Sequence, residues 1–449
     1  MQTTIIVTGS VVVFVSLVGG SWAVVASDFM QVLVILPISI IMAYFTLDHI
    51  GGVGQLIEQF PVESPLGNDL NYRTILVFWV LAMILQKLLS LNNIMDAYRF
   101  LTAKDTENAR KASLLASVLF LIGPILWFIP PMVAAIVYPS VAGEGQQTLG
   151  ELMPGLSNPA EGAYVAMGLK LLPAGMIGIL LSAIFAATMS SMDSGLNRNA
   201  GIIVKNFYNS VLRPEATDKE LLTASKLTTA LLGVGIISAA VWFSNNETLG
   251  LFDLMLQFTA LIALPLNVPM LWGMVFKRTP DWSGWATALF GLCVAWSVKH
   301  FFDPVWAESF FNLEVPMTAR EINDYIFLTA VISNVGLSSL FFWSTKFFYK
   351  EPTEGERKEE SDLLFKNMHT PATVAENEGR STDTRQAKIL GYLSMAYGGF
   401  IALLIFIPNP IEGRLAFLFC GAFLATIGGL LLLSARKSAR VDKALENAG

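Results

Sequence analysis

Eleven apolar runs dominate this chain, each near the ~20 residues that a helix needs to cross a bilayer. They lie at 3–19, 22–46, 74–92, 113–137, 173–193, 222–243, 250–276, 284–302, 322–348, 387–408 and 412–434. In lipid, every backbone N–H and C=O must be paired inside the protein. Runs of this length therefore predict an all-α membrane protein with about 11 transmembrane helices. Composition agrees: 54% of the 449 residues are hydrophobic and 14% are charged, against about 25% charged in soluble domains. Gly19-Gly20 closes the first run and predicts a tight helical hairpin with the second. Cys293 and Cys420 fall in separate apolar runs and read as packing residues, and His49, His300 and His369 have no metal-ligand spacing. With no phosphate-binding glycine loop, hydrolase triad or soluble catalytic domain legible, the chain reads as a non-enzyme without a nucleic-acid partner.

The basic residues set an expected orientation. If the runs alternate direction, the connections 97–113, 194–226, 277–278 and 346–388 share one side with the tail beyond 435. Together they hold 23 of the 29 Lys and Arg. The opposite side holds 5, and Lys87 lies inside the third run. Basic residues favour the cytoplasm, so the expected placement is an integral protein of the plasma (inner) membrane, with Met1 outside and the C-terminus in the cytoplasm. Residues 48–73 then form an acidic external loop. Residues 349–386, rich in Glu, Lys, Thr and Asn, read as a mobile cytoplasmic linker before the last two helices and short tail at 387–449.

Polar residues inside the runs are costly and so select candidates for function. Asp28 and Gln31 are i and i+3, on one face of the second run. Gln86, Lys87 and Ser90 sit in the third. Gln257 sits in the seventh, upstream of Pro265 and Pro269. The stretch around which these gather is 174–208, where an apolar helix passes into Ala186-Ala187-Thr188-Met189-Ser190-Ser191. On a helix the Ala187 carbonyl lies on the same side as the hydroxyls of Ser190 and Ser191. Three neutral oxygens there would make half a shell for a small hard cation. The alternative is that these hydroxyls bond back to their own backbone or let helices pack closely. Hydroxyls and helix-interrupting prolines near mid-membrane suit a secondary transporter; no repeated channel filter is present.

Five motifs in order carry a resemblance to the sodium:solute symporter family, the sodium/glucose and sodium/proline carrier type, over about residues 10–300. They are Gly19-Gly20 through Asp28 and Gln31, Tyr98-Arg99 with Ala103-Lys104-Asp105, Ile129-Pro130-Pro131-Met132 through Tyr138-Pro139, Ala186 to Asn197, and Leu251-Phe252-Asp253 through Lys277-Arg278. The resemblance implies a LeuT-type fold of two inverted five-helix repeats. Residues 1–47 would be the last two helices of the first repeat, 74–276 the complete second repeat, and 277–348 peripheral helices. The first core helices would be missing, so the expectation is an N-terminally truncated, partial fold.

The family resemblance further implies a sodium site built from the Ala187 carbonyl and the Ser190 and Ser191 hydroxyls, with Na+ as coupling ion and no other metal or cofactor. It places Asp28, and with it Gln31, on the inner gate and ion path. Where the glucose carriers place sugar contacts, this chain has Leu89, Phe120 and Leu256; Gln86, Lys87, Ser90 and Gln257 remain as substrate candidates. The implied function is sodium-coupled symport of a small organic solute by alternating access. Its rivals are an inactive fragment or structural membrane subunit, and a transporter-like sensor.

Overall fold

The computed structural model describes residues 2–60, 72–90, 103, 106–139, 147–156, 158–244, 251–311, 313, 316–317, 319–350, 356–369 and 384–446. Its longer helices, in chain order, are α1 (Gln2–Ile50), α2 (Tyr72–Ser90), α3 (Thr106–Val137), α4 (Met176–Ile203, prolonged by a π-turn Val204–Leu212) and α5 (Asp218–Ser244). Next come α6 (Leu251–Phe258, π-turn Thr259–Ala263, Leu264–Val275), α7 (Ser283–Phe301) and α8 (Ala319–Ser333, π-turn Asn334–Ser338, Ser339–Ser344). The series ends with α9 (Glu356–His369), α10 (Thr384–Leu403) and α11 (Ile411–Glu446). There is no strand among the described residues, and each of the eleven apolar runs is helical through its centre. Nine stretches among the described residues are long and apolar enough to span a membrane; the third run appears as a shorter apolar helix, Phe78–Leu89. Asn92-Asn93, Tyr98-Arg99, Lys104-Asp105 and residues 61–71 of the 48–73 loop lie outside the described residues.

Two elements differ from the sequence expectation. The first two runs form one unbroken helix of 49 residues, not a hairpin. A glycine pair permits a turn but does not require one, because continuing the helix keeps the backbone hydrogen bonds that lipid cannot replace. The turn falls instead at Gly51 and Gly52, with φ of 88° and 100°. There the Gly52 amide bonds the Leu47 carbonyl at 2.7 Å, and the Gly51 amide bonds that of Asp48 at 3.1 Å. The second difference is α9, a helix inside the stretch expected to be a mobile linker. Lys277 fastens it through an ion pair with Asp362, and the same ammonium sits 5.9 Å from the Phe365 ring.

The chain packs into two units. The first comprises residues 1–60, 118–248 and 379–449; the second comprises 61–117 and 249–378. In the first, Ile38 and Met42 of α1, Met176 and Leu180 of α4, and Phe417 and Leu424 of α11 share one buried core. The start of α4 is pinned twice. A Cβ on Gly175 (φ 84°) would come 2.8 Å from Phe417 Cζ, and Asn409 Nδ2 donates to the Ala174 carbonyl at 2.8 Å. In the second unit, Leu256, Ala260, Leu264 and Val268 of α6 pack with Ala82 and Leu89 of α2 and with Leu328 and Val331 of α8. Trp272 Nε1 donates to Ser339 Oγ at 2.8 Å, tying α6 to α8.

The α10–α11 hairpin is held by reciprocal glycine contacts. A Cβ on Gly398 would lie 2.7 Å from the Gly421 carbonyl, and one on Gly421 would lie 2.7 Å from the Gly398 carbonyl. One heptad away, a Cβ on Gly428 would lie 2.8 Å from the Gly391 carbonyl. Such glycines let helix backbones approach where no hydrophobic drive exists between helices in lipid. Gly398→Ala is therefore expected to destabilise the chain by about 1–3 kcal/mol through overpacking. Gly399→Ala, whose Cβ meets nothing within 4 Å, should not. Thermal unfolding of the two variants in the same detergent checks this.

Candidate functional site

Thr188, Ser190, Ser191, Asp193 and Ser194 of α4 fall on several faces and do not all bond alike. Thr188 Oγ1 donates to the Ile184 carbonyl at 3.1 Å, and Ser191 Oγ donates to the Ala187 carbonyl at 3.4 Å. Both are the back-bonding that helical hydroxyls favour. Ser190 departs from this pattern. Its Oγ leaves its own helix and donates to Asp28 Oδ1 on α1 at 2.5 Å. Ser194, one turn further on, donates to Asp28 Oδ2 at 3.4 Å. The two oxygens of one carboxylate are thus engaged by two serines spaced i, i+4 on a single helix face.

A second link between the same helices lies beside the first. Ser16 Oγ of α1 donates to Asp193 Oδ1 of α4, and Asn197 Nδ2 donates to the same oxygen at 2.8 Å. Ser16 is 2% exposed and Asp193 1%. Ala187, Thr188 and Ser191, by contrast, are exposed, and Ser190 is half-buried. Gln31, one turn beyond Asp28, is half-buried, and its Oε1 is buried without a hydrogen-bond partner.

The structure brings Ala187, Ser190, Ser191, Asp28 and Gln31 together within the first unit. Sequence reading treated the serines and Asp28 as separate features, and it gave no part to Ser16 or Ser194. The i, i+4 spacings Ser190–Ser194 and Asp193–Asn197 were the signals available. What they lacked was the partner on α1, more than 160 residues away. The Ala187 carbonyl and the Ser191 hydroxyl, on exposed residues, lie beside a carboxylate-bound hydroxyl, an all-oxygen set. A hydroxyl that donates to a carboxylate still has lone pairs for another partner. Among the described residues no group of three or more His, Cys, Asp or Glu is placed to hold a metal.

The remaining candidates belong to the second unit. Gln86 is half-buried on α2, one turn from Ala82 and close to Leu89, both in the unit's core. Lys87 is exposed, and the Ser90 side chain lies outside the described residues. Gln257 is half-buried in the last α-helical turn before the π-turn of α6, while its neighbour Leu256 faces the core. Phe120, on α3 in the first unit, is 79% exposed.

Membrane-length helices with carboxylates bound by hydroxyls inside them define the class as a polytopic membrane protein. The sequence model of the sodium:solute symporter family matches residues 1–291, and the chain belongs to that family. It is 23% identical to human sodium/myo-inositol cotransporter 2 over 395 residues, covering 80% of this chain and 55% of the relative. It is 25% identical to a sodium/mannose cotransporter of Bos taurus over 314 residues (62% and 50%). With the high-affinity proline transporter PutP of Bacillus subtilis it shares 27% over 289 residues (64% and 57%). The chain spans about half the length of the curated relatives it matches. These relatives are transporters, not enzymes.

The Ser190–Asp28 bond is open to a direct test. A double-mutant cycle with Ser190→Ala and Asp28→Ala, read by thermal unfolding, is expected to give a coupling energy of about 1.5–3 kcal/mol, the range for a hydrogen bond to a charged group. Independent, additive effects would mean that the two side chains do not interact in the folded chain.

Proposed function

We propose that this chain carries the ion-coupling part of a sodium-driven symporter for a small organic solute, working by alternating access. The observation that carries the reading is the oxygen cluster on α4. Ala187 O and Ser191 Oγ lie on an exposed helix face, next to a Ser190 hydroxyl already turned toward a carboxylate. In this reading Na+ takes the Ala187 carbonyl and the Ser190 and Ser191 oxygens. Asp28 keeps the region negative and polarises the Ser190 hydroxyl, and with Gln31 it lines the inner end of the ion path. Sodium bound there stabilises the outward-open state and raises solute affinity by linkage. Each charge crossing contributes ~2.3 kcal/mol per 100 mV of membrane potential. The bias of 23 to 5 basic residues supports a cytoplasmic C-terminus.

For the solute, Gln86, Lys87, Ser90 and Gln257 are the proposed contacts. Leu89 and Leu256, where glucose-type carriers would present polar groups, are buried in an apolar core, which disfavours a glucose-type site. The ammonium of Lys87, exposed within an apolar helix, suits a carboxylate-bearing solute.

Sodium is expected to raise the unfolding temperature of the purified chain relative to equimolar choline, because a ligand bound to the folded state stabilises it. Ser191→Ala should weaken the sodium dependence about tenfold, equivalent to the loss of roughly 1.4 kcal/mol. A parent chain indifferent to sodium would remove the cation assignment. In proteoliposomes driven by a sodium gradient, a panel of myo-inositol, mannose, proline and small carboxylic acids identifies the solute class. Lys87→Gln is expected to spare uptake of uncharged solutes and to weaken uptake of acidic ones. Equal effects on both would end the carboxylate reading.

A further inference from the structure

The Ser16–Asp193 pair has no place in the reading above, yet its two side chains are among the most buried polar groups in the first unit. The two links between α1 and α4 have opposite polarity. At one, α1 supplies the carboxylate (Asp28) and α4 the hydroxyls (Ser190, Ser194). At the other, α4 supplies the carboxylate (Asp193) and α1 the hydroxyl (Ser16). Successive helical residues turn by about 100°, so around the helix Asp193 lies roughly 160° from Ser191 and roughly 120° from Ala187, but only roughly 60° from Ser190. The acid therefore grips α1 from the flank that Ser190 also turns toward α1, while Ala187 and Ser191 are exposed further round the helix. Asn197, which donates to the same carboxylate oxygen, fixes the Asp193 rotamer from one turn below.

We propose that Ser16 and Asp193 are positioning residues for the cation site. Their bond sets the rotation of α4 about its own axis, and with it the direction in which Ala187 O and Ser191 Oγ face. The inference rests on the sodium reading of those oxygens. Asp193 acts through the helix and does not itself touch the ion.

The test uses the full chain and an isosteric pair. Ser16→Thr keeps a hydroxyl, whereas Ser16→Val keeps the same shape without it. Sodium affinity is read from the sodium dependence of the unfolding temperature, with choline as the reference. Ser16→Val and Asp193→Leu are each expected to weaken sodium about fivefold, and the double variant no more than either alone, as for two members of one bond. Ser16→Thr should stay within about twofold of the parent. If Ser16→Val fails to fold, Ser16→Ala replaces it, with the choline unfolding temperature confirming a folded chain. Unchanged sodium affinity in a folded variant lacking the hydroxyl, or additive effects in the double variant, would overturn the proposal. So would a loss of sodium stoichiometry in Asp193→Leu, which would make Asp193 a ligand. A parent chain that ignores sodium strikes the cation assignment itself, and the positioning role falls with it.

Discussion

A carboxylate carried into a bilayer costs about 2.5–3.5 kcal/mol on insertion scales, and the first unit carries Asp28 and Asp193 within spanning helices. The arrangement of α1 and α4 follows from how that cost is offset. Asp28 accepts from two serines of α4, and Asp193 accepts from a serine of α1 and an asparagine of its own helix. Neither acid is satisfied by its own helix alone. Apolar packing of Ile38, Met42, Met176 and Leu180 brings the helices together, but lipid competes equally for such surfaces. The hydroxyl–carboxylate bonds supply the register that packing leaves loose.

The helical spans were legible in the sequence because hydropathy and backbone satisfaction point to the same answer. The break expected at Gly19-Gly20 was not there. Glycine widens the allowed conformations without choosing among them, whereas Gly51 and Gly52 adopt positive φ at a helix end where unpaired carbonyls await donors. The helix within the linker was missed for the opposite reason. Residues 356–369 hold good helix formers, but their composition reads as solvated chain until Lys277, distant in sequence, meets Asp362 and Phe365.

The oxygen cluster was half legible. Helical geometry alone placed the Ala187 carbonyl beside the Ser191 hydroxyl, and the structure has that contact. The same geometry put Ser190 on that side too, yet its proton goes to Asp28. A local pattern shows which groups share a face. It does not show which of them will find a better partner on another helix.

The Ser190–Asp28 bond joins residues 162 positions apart, which has a consequence for how the chain is made. At about 5–20 residues per second, the ribosome delivers Ser190 roughly 8–30 s after Asp28. For that interval the nascent α1 holds its acid without the hydroxyl that later covers it. The α10–α11 hairpin has no such delay, since Gly398 and Gly421 are close neighbours along the chain. Early synthesis is therefore the stage at which the first unit depends most on water, translocation machinery or a chaperone to shelter a charge.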